Sequence, residues 1–517
     1  MNRRNFLRTG AALSLPLLAG NPLSARVTRQ LRHLVDPSAG RVLVLVQLNG
    51  GNDGLNTLVP LDQYDRLRAV RPSVLVPRGS LLEIDHDLGF HPAAAGLRDV
   101  YGNGQLAAIQ GVAYPGQNRS HFRSTDIWTS ASAADKLVTS GWLGRHFAAD
   151  HPDYPEDYPN GGAPHPFAVA LGNQVSQTCQ GTGANFSMAV ADPFDLLTLA
   201  GGDDTPLPET PYGSELDFLR TSIVQANAYG SVVQEAAERG NSLVDYPDNR
   251  FAAQLRHVAY LISGGLETSV YVVSLGGFDT HANQVVGGNP LLGEHAELLA
   301  TLGDALSAFQ QDLRALGLEQ RVLAMTFSEF GRRIRANDSL GTDHGTAAPL
   351  FLMGECVRAG ILGDNAVIGE TVSTDAGVDM QYDFRDVYGT VLADWFGLDG
   401  GSVRQVLGHD YVHLPLLAGC GDTTSTNGGP GAAQQAGFLL SPNPTAGPLS
   451  VRLNSPGGRA TLDLTDLSGR HLRRLLARQL PAGPHEVPLD LSALPPGVYL
   501  VHLRLGGRVS SQRVVLK

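Results

Sequence analysis

Three cysteines in 517 residues, Cys179, Cys356 and Cys420, stand far apart and form no Cys-x-x-Cys pair. So few, and so spaced, they exclude a disulfide framework and a thiolate zinc site, and leave open a single disulfide. Charge is sparse as well: 17% of residues are charged and the formal net charge is −12. An acidic chain lacks the basic footprint that a phosphate backbone demands, so nucleic acid is excluded as the main partner. Beyond residue 25 no apolar run reaches the length of a bilayer span, so no transmembrane anchor is expected.

What is present points to a folded protein of more than one part. Hydrophobic residues make up 42%, enough for a sizeable core, and the length calls for a large domain plus an appendage. The charge is unevenly spread. From Gly437 to the end there are ten Arg/Lys and four Asp/Glu, a net of +6, so the rest carries −18. Two modules with different tasks are expected.

The N-terminus, MNRRNFLRTGAALSLPLLAG, sets Arg3 and Arg4 ahead of a short apolar run and a small-residue site near Ser24-Ala25. This predicts a cleaved signal peptide over 1–25. RRNFLR resembles a twin-arginine export signal, which implies the twin-arginine machinery as a partner and a protein that folds, often around a cofactor, before leaving the cytoplasm.

Over 26–418 the pattern is α/β. Arg41–Leu48, Gln105–Ala113, Ser269–Leu275 and Arg321–Phe327 are apolar runs of strand length, each expected to be a buried parallel strand. Between the last two, Leu302, Leu306, Phe309 and Leu313 recur at helical spacing, completing a β-α-β unit and hence a mostly parallel sheet flanked by helices. From about Thr129 to Glu215 the text is looser and is expected to form insertions around the rim of the sheet. Residues 419–436 form a flexible linker by their Gly, Ser, Thr and Gln content, and the alternating segments of 437–517 predict a small β-sandwich. In that tail the SPNP opening, the DLSGR turn and the GVYLV ending resemble the C-terminal sorting domain of type IX secretion cargo. That resemblance implies passage through the periplasm, the type IX machinery as a partner and a final place on the cell surface or outside. The alternative is an immunoglobulin-like binding module.

Chemistry gathers just past the strand ends. Asp53 follows the first strand; Asp279 and His281 lie in GGFDTHANQ; Ser328, Glu329 and Arg332 lie in SEFGRR; Asp343 and His344 lie in GTDHGTAAP. Ligand sites of open parallel sheets collect at the carboxyl ends of strands, so these groups are expected to converge. Carboxylates with neutral imidazoles suit a divalent ion, zinc or manganese first, calcium next. Taken singly, Asp53 could equally be a turn residue or helix N-cap and His344 a structural histidine.

NGGNDGLNTLVPL, NRSHFRSTDIW, GGFDTHANQ, SEFGRR and GTDHGTAAP together resemble the family called domain of unknown function 1501, across most of Arg41 to Leu417. That family in turn resembles the alkaline phosphatase, sulfatase and phosphoglycerate mutase superfamily. The resemblance implies an alkaline phosphatase-like core, two metal ions and transfer of a phosphoryl or sulfuryl group from a small anionic ester. Carried over, Asp53, Asp279, His281, Glu329 and His344 become metal ligands and Ser120 the nucleophile. Arg332 or Arg123 is then available to hold the anionic group. Ser120 has a second reading as a helix N-cap, and Arg332 as a surface arginine. Ser328-Glu329-Phe330 stands where the superfamily has Asp-His-Gly, which removes an imidazole, and His121, His295 or Asp343 could replace it. A surface protein that keeps the fold without catalysis is the alternative function.

Overall fold

The computed structural model describes residues 40–200, 206–418, 438–441, 445–466, 471–495, 497–505 and 508–516. The expected signal peptide and linker lie outside them. The chain divides into two compact units, between Thr423 and Thr424.

The first unit is built on a nine-stranded sheet. In chain order its strands are β1 (Val42–Asn49), β5 (Leu106–Ala113), β6 (Ala168–Leu171), β7 (Ser187–Val190), β8 (Val270–Gly276), β9 (Val322–Phe327), β10 (Ala348–Met353), β11 (Gly360–Leu362) and β12 (Tyr382–Asp383). Three short strands, β2 (Leu58–Pro60), β3 (Leu82–Ile84) and β4 (Leu88–Phe90), make a separate small sheet. The large sheet runs β11-β5-β10-β9-β1-β8-β6-β7, with β12 beside β5. β1 sits near its centre, parallel to both β8 and β9. β10 alone runs against the rest, antiparallel to β5 and to β9. The expected parallel strand at Gln105–Ala113 is thus β5, which is parallel to β11 and β12 but pairs antiparallel with β10.

β1 shows why the centre is stable. Val42, Val44, Val46 and Leu48 enter one core, while Leu43 and Leu45 enter another on the opposite face. A strand covered on both sides needs apolar residues at every position, and branched Val suits the pleat. The helix Glu294–Ala315 crosses from β8 to β9 and buries Leu302, Leu306, Phe309 and Leu313 against the first core, as its spacing predicts. Its first turn carries Glu294 and Glu297 and its last turn Arg314, signs that complement the helix dipole.

The stretch expected as rim insertions instead contributes structure. It holds the helix Trp142–Asp150 and the strands β6 and β7, which extend the sheet beyond β8. Each of those strands is only four residues long. They are short, and β6 joins the sheet through β8, far along the chain, so local pattern had little to signal.

The second unit is antiparallel: β13 (Phe438–Ser441), β14 (Pro448–Asp466), β15 (His471–Asp490), β16 (Gly497–Leu505) and β17 (Arg508–Leu516). The long β14–β15 hairpin and β16 surround a core of its own that includes Leu449, Val451, Leu462, Leu464, Val501 and Leu503.

Candidate metal centre

The carboxyl ends of β1, β8 and β9 lie side by side, and their loops carry the expected motifs. Gly50 makes this close packing possible. Its φ is +120°, and a Cβ there would lie 2.2 Å from the Asp279 nitrogen. The segment Gly331–Arg333 pairs with Asp343–Thr346 through Gly331 N–H to Thr346 O (2.6 Å), Gly345 N–H to Gly331 O (2.7 Å) and Arg333 N–H to Asp343 O (2.9 Å). This brings His344 over Asp279.

Four side chains meet. One oxygen of Asp279, Oδ1, lies 3.1 Å from His281 Nε2 and 3.0 Å from His344 Nε2. Its Oδ2 lies 3.4 Å from His121 Nε2, at the start of the helix His121–Ser130. The ligand atoms of His121, Asp279 and His344 all fall within 4.8 Å of one another.

The far sides of the three imidazoles fix their tautomers. His344 Nδ1 is 2.8 Å from the Arg119 carbonyl, His281 Nδ1 2.8 Å from Asp343 Oδ1, and His121 Nδ1 2.8 Å from Glu329 Oε1. A carbonyl or an ionised carboxylate can only accept, so each Nδ1 donates, and a ring in its neutral form turns its Nε2 lone pair inward. His281 Nε2 and His344 Nε2 are nonetheless 2.8 Å apart. Two facing lone pairs beside a carboxylate repel unless a cation lies among them. His121 Nε2 is buried with no hydrogen-bond partner. Outer oxygens that hold imidazoles this way are the usual support of metal ligands.

Electrostatics agree. Burial alone would raise the Asp279 carboxyl, but the hydrogen bond from Arg332 and the nearby positive charge hold it at about 2. Burial is the main cause that lowers His344 below its usual value, which keeps it neutral and able to donate a lone pair. Burial would raise Asp343 too, and is outweighed by the bonds from His281 and Asn337. Phe330 packs under the site, with its ring 5.0 Å from His121 and 4.5 Å from His344 between centroids.

Three expected site residues lie elsewhere in the arrangement. Glu329 is not among the inward-facing groups: it stands behind His121 and also accepts the Gly50 N–H at 2.8 Å. Arg332 is 1% exposed and cannot hold a substrate. Its Nε donates to Gly51 O, Nη1 to Thr342 O, and Nη2 to Asp279 Oδ1, Phe278 O and Gly50 O. It is a clasp between the three loops. Asp53 is 1% exposed and ion-paired with the fully buried Arg71. Burial works to raise its carboxyl, but the charge of Arg71 and the bonds from Arg71 and Gln284 keep it below the ordinary range. Burial pushes the neighbouring His295 down to about 3.

Ser120 is exposed at the N-cap of the helix His121–Ser130, yet its side chain makes no capping bond. Arg123 is tied to the carbonyls of Ala133, Ala134 and Lys136. Arg119, half-buried beside Ser120, makes no side-chain hydrogen bond among the described residues, its charge acts on Asp375, and it carries the carbonyl that holds His344. Sequence reasoning named His121 and Asp343 only as replacements and did not single out Arg71, Gln284 or Arg119. The adjacency of His121 to Ser120 in NRSHFRS was the available signal.

Past the ends of β1, β6 and β8 opens a polar cavity of about 820 Å³, which none of the four inward-facing side chains lines. Gln47, Asn49, Thr125, Asn173, Gln254 and Gly276 are among its walls.

Residues 234–408 match the family model described as "Protein of unknown function (DUF1501)". Residues 440–517 match the "Secretion system C-terminal sorting domain". The chain therefore carries a sorting module of the type IX kind, which indicates secretion or the cell surface. No curated protein matches the chain. Among solved structures, a sulfatase from Pseudoalteromonas sp. is similar at 10% identity and a TM-score of 0.33, covering 92% of this chain and 88% of that one. An alkaline phosphatase superfamily protein from Vibrio parahaemolyticus is similar at 9% identity and 0.31, covering 92% and 82%. A phosphonate monoester hydrolase from Silicibacter pomeroyi is similar at 11% identity and 0.28, covering 92% and 89%. Among the described residues, no helix is long and apolar enough to cross a membrane. Cys356 is disulfide-bonded, and Cys179 is free and buried.

Proposed function

We propose that this protein is a secreted or cell-surface metal-dependent hydrolase of phosphate or sulfate esters, delivered through the twin-arginine and type IX routes by way of the periplasm. One observation carries the reading: three imidazoles, each fixed at Nδ1 by an oxygen acceptor, turn Nε2 toward Asp279. The donor set fits a transition ion. Three nitrogens and a carboxylate suit zinc, with manganese next, and calcium, which takes oxygen ligands, fits poorly.

An ion held there would supply Lewis-acid polarisation of an ester oxygen and ease deprotonation of the attacking group. The chain's own residues do the rest. Ser120, exposed next to His121 and making no capping bond, is the candidate nucleophile, and the guanidinium of Arg119, its neighbour in the chain, is available to hold the anionic group. The anion-holding role moves from Arg332 to Arg119 because Arg332 spends its donors on the loops.

The zinc- or manganese-loaded protein should hydrolyse 4-nitrophenyl phosphate or sulfate. Activity should fall at least ~100-fold in Ser120→Ala if the hydroxyl is the nucleophile. A loaded protein inert to both esters favours the second reading, a non-catalytic surface protein. For that reading speaks the commitment of Asp53 and Glu329 to the protein itself.

A further inference from the structure

Resting on the metal-centre reading, we propose that the site takes one divalent ion and that the guanidinium of Arg71 is the second positive charge, built into the chain and seated on Asp53. The superfamily resemblance implies two ions with the first-strand aspartate as a ligand; the residues present do not fit the second. Asp53 Oδ2 accepts hydrogen bonds from Arg71 Nη2 and, at 2.6 Å, from Gln284 Nε2. Arg71 is 0% exposed, and a guanidinium does not lose its proton in a protein. A divalent ion on the same carboxylate would face a fixed like charge in an interior where repulsion is poorly screened.

The neighbouring imidazoles do not compensate. His91 Nδ1 accepts the Ala93 N–H at 3.0 Å, so its Nε2 carries the hydrogen, directed to Pro290 O at 3.2 Å, and no lone pair is left. His295 has both ring nitrogens without partners, as has Asp53 Oδ1. Beside them Arg71 Nε and Nη1 likewise have no acceptor. An occupant of this interior must accept as well as donate, which water does and a metal ion does not.

Asp53 then acts on the centre at one remove. Gln284 Oε1 accepts Thr342 Oγ1 at 2.7 Å and Thr280 Oγ1 at 3.4 Å. Thr280 lies between Asp279 and His281, and Thr342 precedes Asp343 and His344. The Arg71–Asp53 pair thus anchors, through one amide, the two loops that carry Asp279, His281 and His344. Asp53 is a positioning residue.

Plasma emission spectrometry on the full-length mature protein, reloaded with zinc and dialysed, tests this. Wild type should hold one equivalent. Asp53→Asn should still hold one, and Gln284→Ala should hold one with affinity lower by about 10–100-fold at a temperature where it is fully folded, a loss that a purely structural role would not produce. Should Asp53→Asn fail to fold, Asp53→Asn with Arg71→Met removes both charges together, leaves neither buried ion unpaired, and should keep one equivalent. Two equivalents in wild type would overturn the one-ion inference and leave the metal centre standing. Loss of the ion from a folded Asp53→Asn would make Asp53 a ligand and overturn it too. Wild type without any ion would bring down the centre and the inference together.

Discussion

At the scale of single residues, the site is governed by which charges are met inside the protein. Arg332 and Arg71 are both buried cations, and desolvating a guanidinium costs several kcal/mol unless its hydrogens find acceptors. Arg332 meets that cost with four carbonyls and Asp279; Arg71 meets it chiefly with Asp53. Glu329 plays the complementary part. Its carboxylate fixes the His121 ring, and its own carbonyl is gripped by Gln117, Ser124 and Trp128. Replacing Glu329 by Ala should therefore leave His121 present but free to rotate and flip tautomer. Ion affinity should drop by about 10–100-fold, as for other outer supports of metal ligands, measured by competition with a chelator of known affinity. An unchanged affinity would show that His121 does not contribute to the centre.

At the scale of elements, the strand ends do the assembling. β1, β5, β8, β9 and the helix Glu294–Ala315 were legible because each is long, apolar and periodic. That Asp279, His281 and His344 would converge followed from their place after β8 and before β10. What the chain did not show locally were pairings across distance. Arg71 meets Asp53 from 18 residues away and Gln284 meets it from 231, and neither has a motif of its own. Glu329 was legible as a site residue but not as an outer one, since a carboxylate behind an imidazole and one on a metal look alike in sequence. Gly50 is the tightest joint between elements. Gly50→Ala should cost about 1–3 kcal/mol from its positive φ alone, and more because the new methyl meets the Asp279 backbone. Denaturant unfolding measures that loss, and the variant should also retain less metal. A neutral result would mean that the β8 loop yields freely.

At the scale of the whole molecule, two units with separate cores carry separate features: the candidate metal centre in one and a sorting module in the other. Deleting Gly437 to Lys517 should leave the melting of the first unit unchanged, while the truncated protein stays in the periplasm, as cell fractionation would show. An ion held at the proposed centre would tie the stability of the first unit to its site, because a ligand bound only by the folded state stabilises it, by about 2.7 kcal/mol at a hundred times its dissociation constant. His344 is the most direct handle on that link, as it reaches both Asp279 and His281. Metal content by plasma emission spectrometry, with melting curves in zinc and in chelator, should be measured for wild type and His344→Ala. The metal-centre account predicts a bound ion in wild type, loss of it in His344→Ala, and a melting difference that is large in zinc and small in chelator. Equal metal content in the two proteins, or none in either after reloading with zinc, manganese and calcium, would contradict it.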